Sequence, residues 1–434
     1  MKRILIYSHD TFGLGNIRRM LEIARHLVQE SPEVSVLVIT GSPMLHAFRI
    51  PDRIDYVKLP CLSRNVDGRY GARSLPLTLN ALVRLRANLI RSAIDDFAPD
   101  LILVDKKPFG VEDELSGALV DLQSGGRRPK LVLLLRDILD SPEATMRVWR
   151  KNGYFEAIEA YYDQVLVVGS PEIFDLRREY QFPPFAAAKV RFCGYISRQL
   201  GLKSRADVRR GLGVPENQPL VLVTPGGGED GHELIGTCLA GLKALPAQQR
   251  PRTHIVCGPE MSEARRSSIE ELAAELPQVS LQDFSDDMMS LMGGADVVLA
   301  MGGYNTVCEL LTLRKRAVLV PRVRPGIEQL MRAERMAGQG LVRLLHPDGL
   351  TPAALMDGLQ AELAALAQRQ QLPRLARLDG LARVTAAIFD AIDLTTETAD
   401  AADSAWSPVA IPFTHAQEAT WSLPRQTALA PSVC

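Results

Sequence analysis

Short, nearly unbroken apolar runs recur along the chain, each followed by a stretch of helical length, and this alternation limits the fold more than any other feature. Arg3–Ser8, Val34–Thr40, Leu101–Val104, Leu131–Leu135 and Gln164–Val168 place apolar residues at consecutive rather than alternate positions. A strand buried on both faces has that pattern, because helices cover both sides of a parallel sheet. Val34–Thr40 is also bounded by Pro32 and by Gly41-Ser42-Pro43. Helical segments lie between the runs, one from about Asn16 to Gln29 and another over Leu75–Phe97. The latter is apolar but carries Arg84, Arg86 and Arg91; packing against the sheet is the expectation, with a membrane-facing role as the alternative.

The character changes around Gly194–Val214, where a loop and a charged segment precede Pro215-Glu216-Asn217-Gln218-Pro219. A second series of strands then begins: Leu220–Thr224, His254–Cys257, Val279–Leu281, Val297–Ala300, Ala317–Pro321 and Leu341–Leu344. At 434 residues the chain suits two domains of ordinary size. The expected organisation is two doubly wound α/β domains, residues 1–198 and 199–375, with a cleft between them. A helix over residues 376–394 follows, packing back on either domain. Residues 395–434 are rich in Ala, Ser, Thr and Pro without periodicity and read as a disordered tail.

Composition removes several function classes. A formal net charge of -1 offers no basic face for nucleic acid. The N-terminal apolar run is interrupted by His9-Asp10, so it reads as a strand rather than a signal peptide. No apolar run approaches the roughly 20 residues needed to span a bilayer. Six scattered cysteines (Cys61, Cys193, Cys238, Cys257, Cys308 and Cys434) form no C-x-x-C pair and have no metal-ligand spacing with the seven histidines. Reduced, buried thiols in a cytoplasmic protein are expected, with no metal and no cofactor.

Three glycine-bearing loops follow apolar strands, where open α/β sheets bind ligands and helix N-termini present free N–H groups. Gly226-Gly227-Gly228 opens the second half; without side chains it lets backbone approach a phosphate, or simply makes a flexible turn. Gly302-Gly303-Tyr304-Asn305-Thr306 ends another strand, with Asn305 or Thr306 able to cap the next helix. Glu309 lies one turn in, placed either to accept both hydroxyls of a ribose or to complete a capping box with Thr306. Arg322-Val323-Arg324-Pro325-Gly326 leads to Glu328 and Gln329, an acceptor and a donor side chain able to bind sugar hydroxyls. Near the N-terminus, Gly13 and Gly15 flank a second turn; Arg18 and Arg19 are phosphate ligands or a solvated helix face.

Taken in order and spacing, Phe284-Ser285-Asp286-Asp287-Met288, Ala295-Asp296-Val297-Val298, Gly303 to Glu309 and Glu328-Gln329 resemble glycosyltransferase family 28. That family includes a UDP-N-acetylglucosamine transferase of lipid-linked cell-envelope polysaccharide. Ser8 through Arg19, Leu103-Val104-Asp105-Lys106, Arg136-Asp137-Ile138-Leu139-Asp140 and Gly302 to Thr306 resemble a bacterial group of predicted glycosyltransferases. The resemblance covers roughly residues 3–375 and implies a GT-B fold and metal-independent transfer from a nucleotide-sugar donor, expected to be UDP-linked. It also implies an acceptor-binding N-terminal domain, taking a saccharide, lipid-linked or small-molecule acceptor, and allows peripheral contact with the inner face of a membrane. By it, Glu309 would hold the ribose, Gly303–Thr306 the diphosphate, Glu328 and Gln329 the sugar, and Phe284 and Ser285 the base. In such a transfer the helix N-termini, with Arg322 or Arg324, would stabilise the leaving diphosphate.

One position departs from the pattern. Relatives usually carry His where this chain has Asn16, and an amide cannot act as a base near pH 7. His9, Asp10 and Asp105 are the other catalytic candidates. Two alternatives therefore stand beside transfer: a non-catalytic sugar-nucleotide-binding protein, and a nucleotide-sugar 2-epimerase. A Rossmann dehydrogenase is rejected, because Arg18 replaces the third glycine and Val34–Thr40 does not end in an acidic residue.

Overall fold

The computed structural model describes residues 1–9, 15–43, 45, 48–64, 70–125, 128–373 and 377–394. Residues 1–394 form one compact unit holding two parallel sheets. The first contains β1 (Lys2–Ser8), β2 (Val34–Thr40) and β3 (Ile54–Lys58). A small antiparallel pair, β4 (Leu62–Arg64) and β5 (Tyr70–Ala72), stands apart. The first sheet continues with β6 (Leu101–Asp105), β7 (Lys130–Arg136), β8 (Gln164–Val168) and β9 (Val190–Phe192), in the order β3-β2-β1-β6-β7-β8-β9. The second sheet is built from β10 (Leu220–Thr224), β11 (Arg252–Val256), β12 (Val279–Gln282), β13 (Val297–Ala300), β14 (Arg316–Leu319) and β15 (Arg343–Leu344), ordered β12-β11-β10-β13-β14-β15.

In both sheets the strand order reverses beside the first strand, between β1 and β6 and between β10 and β13. A reversal sends the flanking connections to opposite faces and leaves a crevice at the carboxyl ends of the strands. Those ends are Ser8-His9 and Asp105-Lys106 in the first half, and Thr224–Gly228 and Ala300–Gly303 in the second. The continuous runs that sequence marks as doubly covered are so: every residue of β6, β10, β13 and β14 is buried.

Strand β3 was not expected. Ile54 is buried while Asp55, Tyr56 and Lys58 are exposed, so an edge strand covered on one face lacks the continuous apolar signal. Short β9 and the β4–β5 hairpin escaped for want of length. The second long helix starts at Leu79, later than Leu75, because Thr78 caps it by accepting from the Ala81 N–H. Its arginines divide: Arg86 is fully buried, donating to both carboxylate oxygens of Glu114 at 2.6 and 2.7 Å. Arg84 and Arg91 face outward.

The last described helix, Gly380–Ala391, packs against α1 (Gly15–Glu30) and β8, and His26 Nδ1 lies 2.8 Å from Thr385 Oγ1. It returns to the first half because its buried face, Val384, Ala387, Ile388 and Phe389, joins that half's core. Among the described residues no helix is long and apolar enough to cross a membrane. The expected disordered tail, residues 395–434, lies outside the described residues.

Candidate active site between the two sheets

The cleft is built from strand ends. At the end of β6, Asp105 is 1% exposed and accepts from Arg19 Nη2 at 2.6 Å and from the His9 N–H at 3.3 Å. Asn16, on the first turn of α1, donates to the His9 carbonyl at 2.6 Å and accepts from Arg19 Nη2 at 3.3 Å. His9, Asn16, Arg19 and Asp105 therefore form one knot. The arginine neutralises Asp105, so this carboxylate positions α1 instead of standing open to abstract a proton. Asp10 and Gly13 lie outside the described residues.

Across the cleft, Gly302, two residues beyond β13, has φ 80°, a left-handed conformation that a residue with a Cβ adopts only at a cost, and the chain turns into the helix Tyr304–Leu313. The helix begins two or three residues earlier than a cap at Asn305 or Thr306 implies. Gly303 is its N-cap and contributes no side-chain hydrogen bond, so neither Asn305 nor Thr306 caps it. Asn305 instead donates to the Gly15 carbonyl at 3.1 Å and accepts from Arg198 at 2.6 Å, joining the halves. Among the described residues no side chain caps the leading N–H groups of this helix, an arrangement that suits an anion. Glu309 is 2% exposed, and its Oε1 lies 2.8 Å from Arg18 Nη1. The capping-box reading of Thr306 and Glu309 fails because Glu309 pairs with the other half.

Glu328 begins the helix Glu328–Gly338 and pairs with Arg322 Nη2 at 3.0 Å. Burial alone would raise the Glu328 carboxyl, but the guanidiniums of Arg322 and Arg136 outweigh it and hold it below the usual range. Arg322 also reaches Asp230 at 3.4 Å. It is thus occupied by two carboxylates, not held ready for a leaving group. Gln329 donates to the Met301 carbonyl at 2.7 Å and accepts from Arg322 Nε at 3.2 Å in the amide orientation that satisfies both ends.

The triple glycine serves packing as much as ligand approach. A Cβ on Gly228 would sit 2.4 Å from the Cys257 backbone carbonyl, whereas one on Gly227 would meet only the movable end of the Glu260 side chain and one on Gly226 open space. Phe284 is 43% exposed, and Ser285 Oγ accepts from the Asp287 N–H at 3.2 Å, so both stand at the rim after β12.

Sequence reasoning passed over the residues that tie the halves together. Arg332, wholly buried, donates Nε and Nη2 to the two oxygens of Asp137, each at 2.8 Å, and Nη1 to the Gly302 carbonyl at 3.3 Å. Tyr195 donates to the same Asp137 carboxylate at 3.0 Å. The guanidiniums of Arg19 and Arg332 each lie 5.8 Å from the Tyr304 ring centre, and Tyr195 stacks on that ring at 6.1 Å. Asp137 can come so close to β8 because Gly169 has no Cβ; one would meet Asp137 Cβ at 2.7 Å. The signal for Asp137 was present, an acid directly after the end of β7. Arg332 gave none, since an arginine one turn into an amphipathic helix normally faces water.

Residues 220–378 match the model of the glycosyltransferase family 28 C-terminal domain. The second half thus carries a glycosyltransferase family 28 C-terminal domain, and the chain is a glycosyltransferase with the GT-B fold. It is 29% identical over 264 residues to an uncharacterized glycosyltransferase of Methanopyrus kandleri, covering 59% of this chain and 70% of that one. It is 24% identical over 387 residues to the UDP-N-acetylglucosamine–N-acetylmuramyl-(pentapeptide) pyrophosphoryl-undecaprenol N-acetylglucosamine transferase of Acetivibrio thermocellus, covering 87% of this chain and 94% of the relative. Among solved structures, the calicheamicin glycosyltransferase CalG4 superposes with a TM-score of 0.58 at 16% identity, over 90% of this chain and 98% of that one. MurG of Acinetobacter baumannii superposes with a TM-score of 0.55 at 18% identity, over 90% and 100%. The structural likenesses establish the GT-B fold that the resemblance implied.

Proposed function

We propose that this glycosyltransferase moves a sugar from a UDP-linked donor to an acceptor hydroxyl without a metal. The observation that carries the reading is the uncapped start of the helix Tyr304–Leu313 with buried Glu309 one turn in. N–H groups for a diphosphate and a carboxylate for a ribose are separated there by about the length of a helical turn, roughly 5.4 Å. Similarity to a transferase whose name specifies UDP-N-acetylglucosamine supports a uridine donor, with Phe284 and Ser285 beside the base. Glu328 and Gln329 would take the donor sugar.

Arg18 occupies the carboxylate that a ribose would use, so donor binding requires it to exchange its partner, and a diphosphate is the natural replacement. Asp105 is held by Arg19 and Asn16 by the His9 carbonyl, so the base for the acceptor hydroxyl is to be sought in the other two candidates, His9 and Asp10. The same relative's pyrophosphoryl-undecaprenol acceptor supports a lipid-linked acceptor and action at the inner face of a membrane. The outward side of α2 (Leu79–Phe97) suits that surface, with Leu85 and Leu89 exposed beside Arg84 and Arg91.

Thermal stability against a panel of nucleotides and nucleotide sugars tests the donor site. A ligand at 100 times its Kd adds about 2.7 kcal/mol, a clear rise in Tm. UDP or a UDP-sugar is expected to stabilise the protein equally with and without magnesium. Stabilisation by another nucleotide alone would remove the uridine assignment, and a magnesium requirement would remove the metal-free one.

A further inference from the structure

Arg136 ends β7, two residues beyond Leu134, the register partner of Asp105, and so stands at the cleft edge of the first sheet. The cationic side chains around it are compensated. Arg19 has Asp105 at 2.6 Å, Arg332 has Asp137 at 2.8 Å, and Arg322 has Glu328 at 3.0 Å. Arg136 has no such pair. Among the described residues its guanidinium makes no hydrogen bond and no ion pair within 4.0 Å, and its Nε is buried with no acceptor. Leaving a buried donor unsatisfied costs about 1–3 kcal/mol, and folding alone gives no reason to retain it.

The electrostatics agree with the geometry. Burial and the neighbouring guanidiniums of Arg19 and Arg332 lower the Arg136 pKa, while Glu328 and Asp137 raise it less. A guanidinium remains charged at neutral pH even so. Among the described residues, then, Arg136 is a buried cleft charge that no carboxylate pairs directly, between the N-terminal turn of α1 and the helix starts at Tyr304 and Glu328.

We infer that Arg136 is an anion-binding residue of the cleft, whose missing partner is a phosphoryl group of a bound ligand. The inference rests on the transferase reading above and supplies what Arg322 does not, a cation with no carboxylate of its own. The group has two sources: the leaving diphosphate of the donor, or a phosphate carried by the acceptor. In the first case Arg136 takes up charge as the sugar–phosphate bond breaks, so that both halves of the protein act on the leaving group.

Titration calorimetry with UDP, uridine and inorganic pyrophosphate, on the full chain and on Arg136→Gln and Arg136→Lys, tests this. Arg136→Gln is expected to weaken UDP and pyrophosphate about 10–100-fold and to leave uridine unchanged. Arg136→Lys should recover part of the loss. The Tm of unliganded Arg136→Gln should equal or exceed that of the parent, since repulsion is relieved. Pyrophosphate binding that is competitive with UDP assigns the donor diphosphate; Arg136-dependent pyrophosphate binding at saturating UDP assigns an acceptor phosphate. Unchanged affinity for both UDP and pyrophosphate in Arg136→Gln overturns the inference, as does an equal loss for uridine with a lowered Tm, which marks a structural arginine. A parent protein that binds pyrophosphate through Arg136 but no nucleotide would sink the donor reading and leave the anion site standing.

Discussion

Replacing Asp137 with Ala is expected to cost about 3–5 kcal/mol of folding stability, read as a lower urea midpoint. The reason is what the substitution leaves behind. Arg332 has no exposed surface, and both of its hydrogen bonds to Asp137 are 2.8 Å long. Burial opposes the Arg332 charge, but Asp137 outweighs it and raises the Arg332 pKa. Without that carboxylate a cation is stranded between the two sheets, and the Tyr195 hydroxyl loses its acceptor as well. Removing both charges is a milder change, because buried pairs replaced by apolar groups are often neutral. Asp137→Ala combined with Arg332→Met should accordingly be more stable than Asp137→Ala alone. A loss under about 1 kcal/mol for the single variant would show that the pair does not fasten the halves.

Substituting Glu309 with Ala is expected to weaken UDP binding about 100-fold, close to 3 kcal/mol, by calorimetry. A carboxylate accepting from two ribose hydroxyls makes two charge-assisted hydrogen bonds, and neither has an alternative acceptor once the group is gone. Folding should suffer less than binding. The partner in the unliganded protein, Arg18, has a side chain 35% exposed, so solvent screens the ion pair and accounts for much less than its 2.8 Å length suggests. Glu309→Gln keeps the shape and one acceptor and should fall between the two. UDP affinity unchanged in Glu309→Ala would place the ribose elsewhere.

Asp137 and Glu309 also mark how far a linear reading reaches. Glu309 was legible because a strand, a glycine turn and a helix start follow one another in sequence, and the helical period then places its carboxylate. The strands β1, β2, β6, β7, β8 and β10 were legible for the same kind of reason: burial on both faces leaves an uninterrupted apolar run. Edge strand β3, exposed on one side, left no such trace. Cap chemistry was misread at Tyr304, where Asn305 makes long-range bonds that a local preference cannot foresee.

By itself the sequence determined the two parallel sheets, the loops at their carboxyl ends and the glycine, acidic and amide residues those loops carry. These follow from uninterrupted apolar runs, from the helical period of 3.6 residues and from glycine, all of which act within a few positions. Tertiary structure alone decided which charges answer one another. Arg19 meets Asp105 across 86 positions, Arg332 meets Asp137 across 195, and Arg18 meets Glu309 in the opposite half. Charge compensation depends on distance in space, to which sequence separation gives no guide, and so an arginine left without a partner, Arg136, becomes visible only after the others have been paired.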